Sequence, residues 1–100
     1  MCIINWLEKW FLSNCDGGWE HYHECVSITT LDNPGWSVKI NTSETAYEGI
    51  QFDDIRIHRS DNDWIDCQKE QQIIKCFGGP GNLQEILKIV KKWVEDNEIT

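Results

Sequence analysis

Apolar residues recur at spacings of three and four near both ends of the chain and at spacings of two in between. Ile3, Trp6, Leu7, Trp10 and Phe11 fall on one helical face, which predicts a helix over residues 3–14 that stops at Gly17 and Gly18. Leu83, Ile86, Leu87, Val90, Trp93 and Val94 draw a second helical stripe. Asn82 and Glu85 stand before it at the spacing of a capping box, and Lys88, Lys91 and Lys92 favour its C-terminal half, where the helix dipole welcomes cations. Between the helices, Val26, Ile28 and Thr30 alternate, Asp32, Asn33, Pro34 and Gly35 make a turn, and Trp36, Val38 and Ile40 alternate again, so a hairpin is expected. Gly35 is expected to take a backbone conformation closed to larger residues. The polar stretch "SETAYEG" leads to Phe52, Ile55 and Ile57, then "SDND", "WIDCQKE", "QQ" and "IIKCF" read as a three-stranded meander ended by "GGPGN". The expected architecture is one α+β domain over residues 1–100. It holds an antiparallel sheet of about five strands, flanked in sequence by an N-terminal and a C-terminal helix packed on one face.

A chain of 100 residues has enough length to bury a core without staples, and its six tryptophans supply large apolar surfaces whose indole N–H groups each need an acceptor. Seventeen Asp and Glu against nine Lys and Arg leave a formal net charge of −8. That balance repels nucleic acid and anionic membranes and attracts basic protein surfaces. The N-terminal stretch "MCIINWLEKW" lacks the apolar core of a signal peptide, and no run is apolar enough to cross a bilayer, so a cytoplasmic location is expected. In a reducing setting the five cysteines, an odd number without a CxxC, read as free thiols, with Cys2, Cys67 and Cys76 packed or half-exposed.

Candidate chemistry is sparse. If "GGWEHYHECV" is a strand, His21, His23 and Cys25 leave the same face and offer three metal ligands, with Cys15 or His58 as a fourth. A solvated face produces the same alternation, and there is no second paired motif of the kind structural zinc sites carry. A cysteine nucleophile would need a base and an orienting group around a pocket, which adjacency in sequence does not supply. A phosphate-binding glycine loop, an HExxH helix and a nucleophile elbow are all missing, so neither enzymatic activity nor a cofactor is expected. The carboxylates Asp53, Asp54, Asp61, Asp63 and Asp66, in a stretch that also holds Arg56, Arg59 and Trp64, read as turn chemistry and a solvated face or as an acidic surface that steers a basic partner; paired acids for hydrolysis would need a cleft and perturbed pKa values besides.

The strings "WLEKWFLSNCDGGWEH", "TLDNPGWSVKI", "RSDNDWIDC" and "GGPGNLQEILKIVKKWVE" together resemble the immunity 53 family of bacterial polymorphic-toxin systems over nearly the whole chain. Trp6, Trp10, Cys15, Asp16, Gly17, Trp19, Glu20, His21, residues 31–36, Asp63, Trp64 and Trp93 carry the resemblance, whereas His23 and Cys25 fall outside it. What the resemblance implies is a single immunity-protein domain that binds and silences a cognate toxin, and no catalysis. His21 is then expected as a hydrogen-bonding core residue rather than a partner contact. Joined to the charge, this gives an antidote to a basic toxin, expected to be a nuclease, contacted through Glu20, Asp53, Asp54, Asp61, Asp63, Trp64 and Asp66. Glu20, Glu24 and the loop from Glu44 to Glu48 are the alternative contact region. The competing reading is a small metal- or ligand-binding domain that uses His21, His23 and Cys25 or a tryptophan-lined pocket. Sequence alone leaves the oligomeric state open.

Overall fold

A computed structural model describes residues 2–98. Its helices are α1 (Ile3–Asn14), α2 (Trp19–Tyr22) and α3 (Leu83–Asp96), and its strands are β1 (Val26–Leu31), β2 (Gly35–Asn41), β3 (Ile55–Ser60), β4 (Asp63–Glu70) and β5 (Ile73–Gly78). The five strands form one antiparallel sheet in the order β1-β2-β5-β4-β3. The expected α+β architecture is observed.

One face of the sheet is apolar because the alternation in each strand keeps register across it. Val38 stands opposite Cys76, which stands opposite Cys67, and Cys67 stands opposite Ile55. Ile40, Ile65 and Ile74 extend that face, and α1 and α3 cover it with Leu7, Trp10, Ile86, Leu87, Val90 and Val94. Burial of these side chains is the main favourable term in the fold. Cys67 and Cys76 are buried thiols, Cys2 is exposed, and all five cysteines are free.

Two details differ from expectation. Gly35 does not have a positive φ; it is needed because a Cβ there would lie 2.3 Å from the carbonyl oxygen of Gly78 on the neighbouring strand. Asn82 and Glu85 do not form a capping box, since the Asn82 side chain caps no backbone N–H of the helix: it accepts a hydrogen bond from the Trp64 backbone N–H and donates to Asp63 and to the Glu85 carboxylate at 2.9 and 3.3 Å. Lys91 and Lys92 lie in the C-terminal half of α3, as expected, and pair with Glu95 and Asp96. The β4–β5 turn places two glutamines, Gln71 and Gln72, at φ 50° and 69°, the left-handed pair that a two-residue hairpin loop demands.

Candidate partner-binding surface

Strand directions divide the connections between two ends of the sheet. The chain enters β1 and β3 and leaves β2 and β4 at the same end, so residues 15–25, residues 42–54 and the β4–β5 turn all gather there. Residues 15–25 hold Asp16, Glu20 and Glu24, and residues 42–54 hold Glu44, Glu48, Asp53 and Asp54; neither segment has a lysine or arginine. This end is acidic.

The segment from Cys15 is shaped by its own carboxylates. Asp16 Oδ1 accepts the backbone N–H of Gly18 and of Trp19 at 2.9 and 3.0 Å, while Glu20 accepts those of Asp16 and Gly17 at 2.9 and 2.8 Å. Gly17 sits at φ +91°, as the turn requires. Backbone N–H donors, Trp19 first for Asp16 and its own first for Glu20, hold both carboxyls below their ordinary range. The turn starts α2, and Trp19, fully buried, donates its indole N–H to Asn41 O at 3.0 Å. The "CDGGWE" wording is therefore a reciprocal cap around a core tryptophan.

The same helical turn corrects the metal reading. His21 and His23 belong to α2 and its exit, and β1 begins only at Val26, so His21, His23 and Cys25 do not share a strand face. His21 is exposed and lies edge-on to Tyr22 at 4.7 Å, outside the core where it was expected. Cys25 is buried and donates to Trp19 O at 3.1 Å. Among the described residues no group of three His, Cys, Asp or Glu side chains converges to hold a metal ion.

Residues 42–54 form a long connection that is nonetheless tied down. Gln72 O accepts both the backbone N–H and the hydroxyl of Thr42 at 2.8 Å, and Gln72 Oε1 accepts the Gly49 N–H at 2.7 Å. Lys69, on the helix-facing side of β4, donates to the carbonyls of Tyr47 and Ile50, and Trp93 donates its indole N–H to Gln51 O at 2.9 Å. Burial pushes the Lys69 ammonium below its ordinary pKa. Tyr47 and Phe52 plug into the core against Trp93, each with ring centroids 5.6 Å from it. The carboxylates of this loop thus stand on a fixed backbone.

The sequence-derived contact residues lie in three places. Glu20, Asp53 and Asp54 are at the acidic end, where Glu24, Glu44 and Glu48 join them. Asp61 and Asp63 are at the opposite end; Asp63 accepts from Arg59 at 2.7 Å and from Asn82 at 2.9 Å, and Arg59 also grips Glu85. These donors hold the carboxyls of Asp63 (Asn82 first) and Glu85 (Arg59 first) below their usual range, and the two carboxylates, Glu85 first, raise the pKa of the Arg59 guanidinium. Trp64 and Asp66 lie on the sheet face away from the helices, with Asp66 3.8 Å from Arg56. That Asp53 and Asp54 share one end of the sheet with Glu24, Glu44 and Glu48, although β1 and β3 are its two edges, follows from the strand order, yet one signal was visible: neither residues 10–38 nor residues 40–55 contain a lysine or arginine. A groove of about 510 Å³ between residues 51–55 and α3 has a single tryptophan, Trp93, in its lining.

The family model for Immunity protein 53 matches residues 4–95. The chain belongs to the immunity protein 53 family. Its membership covers both helices that close the core and every strand. No curated protein and no solved structure matches it at a significant level. As a member of an immunity protein family, the chain is one that binds a cognate toxin. Among the described residues no helix is long and apolar enough to cross a membrane.

Proposed function

We propose that this immunity protein silences its toxin in the cytoplasm by setting the acidic end of the sheet against a basic toxin surface, that of a nuclease, with no enzymatic step and no cofactor. The observation that carries the reading is the set of seven carboxylates on residues 15–25 and 42–54, without a lysine or arginine among them, the first segment fixed by its own reciprocal cap and the second hydrogen-bonded to Gln72, Lys69 and Trp93. A nuclease must hold a polyanion, so its active surface is basic, and a fixed acidic surface steers such a partner and covers the same groups. Glu20, Glu24, Glu44, Glu48, Asp53 and Asp54 are the proposed contacts. Asp61, Asp63, Trp64 and Asp66 serve as the comparison set.

The test is co-expression with the toxin domain encoded beside this gene, followed by binding kinetics at two salt concentrations. Rescue of growth is expected. Replacing Glu44 and Glu48 by Gln and Asp53 and Asp54 by Asn should slow association several-fold at low salt, with the difference shrinking as salt rises. Replacing Asp61 and Asp66 by Asn should leave the rate near that of the parent. The opposite pattern moves the interface to the Trp64 face, and a purified toxin that leaves nucleic acid intact removes the nuclease assignment.

A further inference from the structure

The two edges of the sheet are built differently. β3 carries Arg56, His58 and Arg59, and its register with β4 is broken by a bulge between His58 and Ser60. Charges and bulges on an edge strand are devices that stop another strand from pairing there. β1 has none of these: Val26–Leu31 contains no charged residue and no proline, and it keeps an unbroken register with β2 along its length. Asn41 N–H donates to Cys25 O at 2.9 Å, so by the antiparallel alternation the backbone groups of Val26, Ile28 and Thr30 point away from β2 into solvent.

The ground beside this edge is apolar. Ile28 is 36% exposed, and on the neighbouring helix Ile4, Phe11 and Leu12 are 46%, 38% and 71% exposed. A groove of about 290 Å³ lined by Leu7, Glu8, Phe11 and Val26 separates that helix from the strand. Exposed acids stand at each end, Glu24 before β1 and Asp32 after it. A second copy of the chain fits poorly. Antiparallel self-pairing with Ile28 opposite Ile28 places Glu24 against Asp32 at both ends, in a molecule already at −8. A strand with apolar residues at alternate positions and Lys or Arg at its two ends meets all of these features.

We infer that β1 is a strand-addition site that takes an extended, basic-ended segment of the toxin onto the main chain of Val26, Ile28 and Thr30. The inference rests on the toxin-binding reading above. Glu24 belongs both to the acidic end and to the start of this edge, so one basic partner reaches the two surfaces together.

The test is amide hydrogen exchange on the full chain, alone and mixed with the purified toxin domain encoded beside its gene. In the complex the amides of Val26, Ile28 and Thr30 should exchange at least about tenfold more slowly while those of β3 stay as they were. Thr30→Pro removes an outward donor without touching the β2 ladder and should weaken toxin binding about tenfold or more. Ile28→Lys, which leaves the backbone intact and charges the edge, should do the same if the proline variant folds poorly. A complex in which the three amides exchange freely and Ile28→Lys binds like the parent overturns the inference and leaves the toxin-binding reading standing. Absence of any complex with the unaltered chain overturns both. Protection that appears in the chain alone and grows with its concentration assigns the edge to a second copy and also overturns it.

Discussion

The two ends of this sheet are made from the same residue types put to opposite uses. At the end that holds the turns at 32–34, 61–62 and 79–82, backbones approach so closely that a Cβ on Gly35 or Gly79 would lie 2.3 Å from a carbonyl oxygen, and Arg59 is shared between Asp63 and Glu85. At the other end the connections are long, Lys69 and the indole N–H of Trp93 are spent on backbone carbonyls, and the Glu44, Glu48, Asp53 and Asp54 side chains face no lysine or arginine partner among the described residues. A carboxylate gripped by a guanidinium has little field left to offer a partner, whereas one mounted on a hydrogen-bonded loop keeps its field and its position. One end is closed by ion pairing and close backbone approach; the other is the end proposed for binding.

The sharpest way to break this contrast is Gly35→Val. The side chain meets the Gly78 backbone, which cannot yield without opening the β2–β5 ladder, and a loss of about 3 kcal/mol or more is expected in urea unfolding. A variant that unfolds like the parent but no longer binds toxin would make the closed end a contact surface. Lys69→Met should cost less, about 1–3 kcal/mol, because the carbonyls of Tyr47 and Ile50 lose their donor. Its effect should be local, with protease cutting first within residues 42–54. Cleavage spread evenly over the chain would deny that Lys69 fixes this loop. The smallest effect concerns pH. Asp63 and Glu85 have depressed pKa values in the folded chain, so their pairing with Arg59 stabilises above the ordinary carboxylate range and is lost as pH falls through the depressed values. Stability should therefore decline on acidification from about pH 4 downward, and Arg59→Gln should make that decline shallower. Equal slopes for parent and variant would show that the pairing adds nothing measurable.

Both long helices and the five strands were legible because each carries a periodic apolar stripe that burial must satisfy. The stretch from Trp19 to Tyr22 was not, since four residues are too few for periodicity to separate a helical turn from a strand, and His21, His23 and Cys25 happen to alternate. The need for Gly35 was visible but its cause was not: close approach to Gly78 is a contact between strands far apart in sequence, while positive φ is a local guess. Asn82 and Glu85 misled for the same reason, since Asp63 and Trp64 compete for the Asn82 amide from another element. Of the candidate surface, the excess of acids was legible, but grouping them required the sheet order. The cap formed by Asp16 and Glu20 was not legible either: Glu20 is exposed and accepts two backbone N–H groups of its own turn, which fixes the carboxylate in place.

The pairing of β2 with β5 also sets an order of events during synthesis. β2 ends at Asn41, yet its second neighbour is complete only at Gly78, and the loop that follows β2 is pinned by Gln72 and by Trp93 in α3. A chain emerging from the ribosome can close the β1–β2 hairpin early, but the acidic loop has no anchor until nearly the whole sequence is out. Fragments that stop short of α3 would carry the carboxylates without the scaffold that aims them, so the surface proposed to meet the toxin is completed last, with the C-terminal helix.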